Sequence, residues 1–220
     1  MQLFLDSSNL EEIKKVADLG LITGITTNPT LIAKEIKETR MDFDDIIADI
    51  VDMVDGPISV ETMQSTTETI VADARNLSKI SDKIVVKIPL TFDGLKAVRI
   101  LNHKNIKTNV TLTFSANQAL LAAKAGATYV SIFIGRLDDV GEEGMQVVRD
   151  TVNIFNNYDI ETEIIAASVR HPIHIIEAAK ACTDIATIPF NIIEKMFYHP
   201  LTDIGIERFL KDWRSIENEK

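Results

Sequence analysis

Short apolar runs typical of β-strands alternate with amphipathic helical stretches along the whole of this sequence. Eight such runs in 220 residues amount to about one strand for every 27 residues, close to the minimum for a strand followed by a returning helix. Most runs are continuously apolar, as strands covered on both faces are. The predicted strands are Gln2–Asp6, Ile22–Thr26, Ile58–Glu61, Ile84–Ile88, Thr108–Leu112, Tyr129–Ile134, Glu163–Ala167 and Ile185–Ile188.

This alternation predicts a parallel α/β fold, and the count of eight favours a closed (β/α)8 TIM barrel over an open doubly wound sheet. The first predicted strand is followed by DSSNLEE and not by the glycine-rich fingerprint of a dinucleotide-binding fold. Neither a linker-like stretch nor an internal repeat divides the chain. We therefore expect a single barrel domain over residues 1–220, with a helix at its C-terminal end.

Several helix starts carry recognisable capping patterns. Asn28 followed by Pro29 offers a cap with proline at the first helical position. The pairs that fit a capping box are Ser8 with Glu11, Ser65 with Glu68, and Ser115 with Gln118. We therefore expect helices to begin immediately after the three serines and after Asn28.

Composition narrows the function classes. The net charge of −10 disfavours nonspecific binding to nucleic acid, and no apolar run approaches the roughly 18 to 20 residues of a membrane helix. The N-terminus has an acid at Asp6 and no preceding basic stretch, unlike a signal peptide. Cys182 lies in an apolar helix end and is expected to be buried, and the four histidines show no metal-binding spacing. These features predict a cytoplasmic protein with no metal site.

Lys87 is the most informative single residue. It lies within IVVKIP, an apolar run of strand character, where its ammonium would be removed from water. Lysine is rarely buried without a partner. It either pairs with a carboxylate as a structural residue or has a depressed pKa that makes it a nucleophile for Schiff-base chemistry. Asp6 and Glu61, at neighbouring strand ends, would then transfer protons.

Other polar residues lie at the ends of the predicted strands, and in a barrel these ends face the active site. Asn109 and Thr111 are two residues apart on one strand and therefore share a face. Arg136, Ser168 and Arg170 follow the sixth and seventh strands, near the region where many barrels bind phosphate. Each arginine could instead be paired at the surface, but the three residues together favour a phosphate site.

The sequence resembles the transaldolase family, specifically its short, barrel-only members related to fructose-6-phosphate aldolases. The resemblance covers essentially the whole chain. The segments that carry it are FLDSSNLEEI, GITTNPTLI, VVKIPLTFDGLKA, NVTLTFSANQALLAAKAGATYVS, FIGRLDD, AASVRHP and FLKDW.

The resemblance implies a role for each matching position. Lys87 would form the Schiff base, Asp6 and Glu61 would act as acid and base, and Thr111 would help hold the water through which Glu61 acts. No metal or organic cofactor is implied. The implied substrate-binding residues are Asn28 and Asn109 for hydroxyl groups, Ser131 and Phe133 for the pocket wall, and Arg136, Ser168 and Arg170 for phosphate.

Two positions separate the subfamilies. Glu61 stands where the aldolases typically carry glutamine, and Phe133 stands where they typically carry tyrosine. Both residues are of the transaldolase type, although close relatives often have proline at the position of Ile132. The implied activity is transfer of a dihydroxyacetone unit from sedoheptulose 7-phosphate or fructose 6-phosphate to glyceraldehyde 3-phosphate or erythrose 4-phosphate, in the pentose phosphate pathway.

Two other functions stay open at this point. One is an aldolase that releases free dihydroxyacetone, against which Glu61 and Phe133 argue. The other is a catalytically silent barrel that binds sugar phosphates, against which Lys87 and its two carboxylates argue. The expected partners are sugar-phosphate substrates, with no nucleic acid and no membrane. Short family members form ring-like homo-oligomers, often decamers, so the resemblance also implies a homo-oligomer.

Overall fold

Eight parallel strands close into a barrel in the computed structural model, which describes residues 1–217. Each strand pairs with the next in chain order, and the eighth pairs with the first. The (β/α)8 prediction is thereby confirmed. The strands are β1 Gln2–Asp6, β2 Gly24–Thr26, β3 Ile58–Glu61, β4 Ile84–Pro89, β5 Thr108–Thr113, β6 Tyr129–Phe133, β7 Glu163–Ala167 and β8 Ile185–Ile188.

Helices follow the strands and cover the outside of the barrel. Along residues 1–217 they are α1 Leu10–Ala17, α2 Pro29–Thr39, α3 Phe43–Met53, α4 Thr67–Leu77, α5 Phe92–Asn102, α6 Ala116–Ala125, α7 Ile134–Asp138, α8 Gly144–Asn157, α9 Pro172–Lys180, α10 Phe190–Phe197 and α11 Pro200–Glu217. Within this described part of the chain, no helix combines the length and apolar character needed to cross a bilayer.

Two of the four expected caps are where the sequence predicts them. The Asn28 side chain accepts a hydrogen bond from the Leu31 amide and begins α2, and Ser115 begins α6 in the same way. The expected caps Ser8 and Ser65 are wrong by one residue, because Asn9 caps α1 and Thr66 caps α4. In both cases adjacent residues of the run are good caps, and the pattern cannot rank them.

The barrel interior divides into an apolar end and a polar end. The N-terminal end is filled by a separate apolar cluster that includes Phe4, Val85, Tyr129, Ile165 and Ile185. The rings of Phe4 and Tyr129 meet edge to face at 6.5 Å. This apolar cluster fills one end of the barrel, and the cavity described below opens at the C-terminal ends of the strands.

Four strands differ from their predicted bounds. β4 continues by one residue to Pro89, and β6 ends one residue earlier, at Phe133, because Ile134 begins α7. β2 begins at Gly24 and not at Ile22; a Cβ on Gly24 would lie 2.7 Å from the Phe4 ring. β5 continues to Thr113, and its register with β6 shifts between Val110 and Thr113. Leu112, within this irregularity, has a φ of 57°, in the left-handed region.

The expectation that Cys182 is buried is wrong. Cys182 is exposed and has a φ of 59°. It lies directly after Ala181, the C-cap residue of α9, in the turn that leads into β8. The turn therefore directs this side chain away from the core, although the residues before it are apolar.

Candidate active site

A cavity of 430 Å³ opens at the C-terminal end of the barrel. Nine of the eleven predicted site residues line it, although they come from separate parts of the chain. They are Asp6, Asn28, Glu61, Lys87, Ser131, Phe133, Arg136, Ser168 and Arg170. Asn109 and Thr111, the other two, do not line the cavity.

Lys87 lies in the middle of β4 and is only 4% exposed. Its Nζ atom donates a hydrogen bond of 2.9 Å to the backbone carbonyl oxygen of Thr27 and lies 3.3 Å from Oε2 of Glu61. Glu61 is the register neighbour of Lys87 on β3, so the barrel itself brings the two together. The ammonium group is thus held by two oxygens at the wall of the cavity.

Asp6 ends β1 on the same side of the barrel. Burial raises the pKa of its carboxyl group, and the positive charge of Lys87 and a hydrogen bond from Thr26 oppose that rise. The Thr26 hydroxyl donates to Oδ1 of Asp6 at 2.9 Å and lies 2.6 Å from the Thr187 hydroxyl. Since Thr26 has only one hydroxyl proton, Thr187 is the donor in the second bond.

Asn109 and Thr111 are both fully buried on β5. Asn109 donates to the Ser59 hydroxyl at 3.1 Å and accepts from the Ser131 hydroxyl at 2.8 Å. It therefore fixes Ser131, which does line the cavity. The Thr111 hydroxyl makes no hydrogen bond to any of the residues 1–217.

Phe133 ends β6 and stands between two cationic groups. Its ring centroid is 6.0 Å from Nζ of Lys87 and 5.1 Å from the guanidinium carbon of Arg136. The ring also meets Phe114 edge to face at 5.9 Å. These contacts hold the ring as a wall between the lysine and the arginine.

Ser168 and Arg170 lie in the loop between β7 and α9, next to the short helix α7 that carries Arg136. The Gly135 amide donates to the carbonyl oxygen of Ser168 at 3.1 Å, and Ser168 has a φ of 59°. The Arg170 guanidinium donates to Oδ2 of Asp139 at 2.8 Å. The structure thus brings the three predicted phosphate residues to one side of the cavity.

Sequence reasoning missed Thr26 and Thr187, which line the cavity beside Asp6. The sequence contains a feature that could have indicated each of these two threonines. Thr26 lies two residues before Asn28, and Thr187 is the polar residue of the otherwise apolar run IATI, as Lys87 is in its own strand. In residues 1–217, no three histidine, cysteine or acidic side chains come together as a metal-binding group.

The fold and the cavity define a class: (β/α)8-barrel proteins with a buried lysine, two carboxylates and a basic rim around one polar mouth. Comparison with known proteins narrows the class to a family. The family model for transaldolase/fructose-6-phosphate aldolase matches residues 3–220, so the chain belongs to this family.

Similar proteins extend over the full length of the chain. One from Hydrogenobaculum sp. is 58% identical over 219 residues, covering 100% of this chain and 99% of its own length. One from Methanococcus maripaludis is 56% identical and covers 99% of this chain and 100% of its own length. One from Syntrophobacter fumaroxidans is 53% identical and covers both chains fully. Each of the three is named a probable transaldolase.

Proposed function

We propose that this protein is a transaldolase that moves a dihydroxyacetone unit between sugar phosphates through a Schiff base on Lys87. The observation that carries the proposal is the placement of Lys87, 4% exposed at the cavity wall with Glu61 3.3 Å from its amine. A purely structural ion pair would gain little at such a position, since burying two charges costs as much as their attraction returns. The names of the similar proteins support the same conclusion.

The reaction begins when Lys87 gives up a proton and its neutral amine attacks the carbonyl carbon of the ketose phosphate. Loss of water from the adduct leaves a positively charged iminium ion. Glu61 is close enough to Nζ to accept and return the protons of these steps. The Thr111 hydroxyl is buried and has no partner among residues 1–217, which supports its proposed role in holding a water molecule.

Carbon–carbon cleavage then needs a base for the sugar hydroxyl, and this role falls to Asp6. Its carboxylate takes the hydroxyl proton, the adjacent carbon–carbon bond breaks, and the electron pair moves into the iminium group. The departing product is an aldose phosphate, and an enamine of three carbons stays on Lys87. Because burial raises the pKa of Asp6, it is a better proton acceptor than an exposed aspartate. The acceptor aldose reverses these steps.

The basic rim is proposed to bind the phosphate group of both substrates. Arg136, Ser168 and Arg170 line the same side of the cavity as Phe133, and guanidinium groups match phosphate oxygens in pairs. Asn28 and Asn109 are proposed to serve the sugar hydroxyls, Asn109 by way of the Ser131 hydroxyl that it holds. Oδ1 of Asn28 accepts a hydrogen bond from the Leu31 amide, which leaves the side-chain amide nitrogen of Asn28 for substrate.

Glu61 and Phe133 favour transfer over release of free dihydroxyacetone. An enamine that waits for an aldehyde is lost if it is protonated and hydrolysed. The phenyl ring of Phe133 lies beside Lys87 and carries no hydroxyl that could position a water molecule there. We therefore infer that the enamine survives long enough to meet its acceptor.

Borohydride trapping tests the proposed role of Lys87. Borohydride added with fructose 6-phosphate is expected to leave a three-carbon adduct on Lys87 and to inactivate the enzyme. Lys87→Arg should be inactive and untrapped, because a guanidinium stays protonated. Lys83, whose amine donates to the carbonyl oxygens of Val51 and Val54, provides the matched control. An adduct mapped by peptide mass spectrometry to Lys83 would refute the assignment.

A coupled assay tests the reaction type. Fructose 6-phosphate is supplied with and without erythrose 4-phosphate or glyceraldehyde 3-phosphate, and free dihydroxyacetone is measured beside the transfer product. A transaldolase forms the transfer product in the presence of acceptor and little free dihydroxyacetone in its absence. Equal release of dihydroxyacetone in both cases would identify an aldolase, and no turnover would identify a silent binding barrel.

We further propose that the protein is a homo-oligomer that acts in the cytoplasm. The support for an oligomer lies in α11, whose apolar residues Leu201, Ile204 and Phe209 are all exposed on this chain. Apolar patches of this kind mark surfaces that another molecule covers. Light scattering coupled to gel filtration should give a mass that is a multiple of 24.5 kDa, and Phe209→Asp should reduce it. A monomeric wild-type protein at micromolar concentration would refute the proposal.

A further inference from the structure

His174 lies directly behind the loop that carries Ser168 and Arg170. It belongs to the first turn of α9 and is only 3% exposed. Its Nδ1 atom accepts a hydrogen bond of 3.2 Å from the backbone amide of Arg170, and its Nε2 atom lies 2.9 Å from Oδ2 of Asp138. A buried imidazole thus bridges the phosphate loop and the end of α7.

These two contacts fix the state of the imidazole. Nδ1 can accept from the Arg170 amide only if it carries no proton. The one proton of the neutral ring must then be on Nε2, where it is donated to Asp138. The tautomer follows from the hydrogen-bond network, with both ring nitrogens satisfied.

Asp138 extends the bridge to a third helix. Its second oxygen, Oδ1, accepts from the Gly144 amide at 3.0 Å, at the start of α8. Asp138 is also the last residue of α7, the helix that holds Arg136. The chain of bonds from Gly144 through Asp138 and His174 therefore ends at Arg170 and links the two arginine-bearing segments.

We propose that His174 is a positioning residue for phosphate binding, which as a neutral imidazole held in its tautomer by Asp138 accepts the hydrogen bond of the Arg170 amide and so fixes the position of Arg170. This inference rests on the proposed phosphate site at those two arginines. His174 does not touch the substrate. It acts by holding the backbone from which Arg170 projects.

Protonation of His174 would break the bridge at one end. A second N–H group, on Nδ1, would face the N–H group of Arg170, so two donors would meet with no acceptor between them. Burial lowers the pKa of His174, and neighbouring His171, whose ring lies 3.8 Å away, lowers it further. Asp138 and Glu177 act in the opposite direction, but the net shift is downward. The bridge is therefore intact at neutral pH and is lost only when the pH falls through this lowered pKa.

Two substitutions separate the ends of the bridge. In His174→Asn the amide oxygen takes the place of Nδ1, so the Arg170 amide keeps an acceptor that cannot be protonated. In His174→Gln the longer side chain replaces Nε2, so the contact with Asp138 is kept and the acceptor for Arg170 is lost. His103→Gln makes the same change of residue type at the exposed end of α5 and is the matched control.

Binding of inorganic phosphate at pH 8, followed by calorimetry, is the direct measurement. Loss of one hydrogen bond predicts a dissociation constant about three- to tenfold higher for His174→Gln, with His174→Asn and His103→Gln close to wild type. Because this measurement requires no turnover, it decides the inference even if the transferase assay fails. Wild-type protein that binds no phosphate, or a His174→Gln variant that binds it as wild type does, would overturn the inference.

Steady-state kinetics distinguish positioning from general loss of structure. His174→Gln should raise the KM for glyceraldehyde 3-phosphate by a similar factor and leave kcat, the KM for glyceraldehyde and the melting temperature near wild type. Equal losses with both acceptors, or no recovery in His174→Asn, would indicate a structural role and refute the proposal.

The pH profile supplies the last comparison. In the wild type, the KM for glyceraldehyde 3-phosphate should rise as the pH falls through the pKa of His174. In His174→Asn that component should be absent. Titration of the substrate phosphate is common to both proteins, so only the difference between the two profiles reports on His174. Identical profiles would overturn the inference.

Discussion

Substitution of Gly135 by alanine is expected to disable phosphate recognition without touching the lysine chemistry. A Cβ atom at this position would lie 2.0 Å from the carbonyl oxygen of Ser168 and 2.6 Å from Cγ of Arg170. Ordinary contacts begin at 3.4 Å, so the carbonyl must retreat by at least about 1.4 Å. The hydrogen bond from the Gly135 amide to that same oxygen is then broken.

The size of the effect follows from the size of the displacement. A misplacement of about 1 Å in a positioning group costs about 100-fold in rate. We therefore expect kcat/KM for phosphorylated acceptors to fall by about two orders of magnitude in Gly135→Ala. Overpacking costs about 1–3 kcal/mol, which for a protein of this size lowers Tm by about 2–12 °C.

The assay compares glyceraldehyde 3-phosphate with glyceraldehyde as acceptor, since only the first carries the group that the loop is proposed to bind. Activity with glyceraldehyde should change little. Gly205→Ala, in the exposed helix α11, is the matched control because its Cβ would meet no atom of residues 1–217 within 4 Å. A Gly135→Ala protein that uses glyceraldehyde 3-phosphate as the wild type does would refute the assignment of this loop to phosphate.

Three further substitutions probe the lysine, the carboxylate and the scaffold. Phe133→Tyr brings a hydroxyl toward Lys87 and should raise release of free dihydroxyacetone relative to transfer; an unchanged ratio in a folded, active variant would contradict this. Thr26→Val removes a hydrogen bond that lowers the pKa of Asp6, so the acid limb of kcat/KM, where activity is lost as Asp6 becomes protonated, should move to higher pH. A limb that stays in place would show that Asp6 is not the base. Lys83→Met removes two hydrogen bonds to carbonyl oxygens at the end of α3 and should lower the free energy of unfolding by about 1–2 kcal/mol with kcat unchanged. Urea unfolding measures this loss, and equal stability would mean that solvent replaces both bonds.

Most of the barrel was predictable because each strand is a short apolar run between marked helix starts. The bounds of β1, β3, β7 and β8 agree with the sequence prediction to the residue. β2 was predicted two residues too long: the Thr23 amide already donates to the Leu3 carbonyl oxygen, but regular pairing with β1 begins only at Gly24. Periodicity reports which residues are apolar and not where a neighbouring strand begins to pair.

The site was predictable to the extent that it depends on strand ends. The rule that polar residues at those ends face the active site placed Asp6, Glu61 and Lys87 around one cavity. It did not reveal the hydrogen bond between the side chains of Asn109 and Ser131, which joins two strands, or that from the Arg170 backbone amide to His174, which joins a loop to α9. Such contacts depend on distances between helices and strands that a linear pattern does not contain.

The pairing of Lys87 with Glu61 inside the barrel has a consequence for evolution of the fold. A buried ion pair is often less stabilising, by about 1–4 kcal/mol, than apolar side chains of the same volume. Selection for stability alone would therefore favour replacement of the pair by apolar residues such as methionine and leucine. The barrel would then be more resistant to heat, and its cavity would lack these two charged groups. The two residues lie on adjacent strands in register, so neither can be lost singly without leaving an uncompensated charge in the interior. The two residues are therefore kept or lost together in evolution.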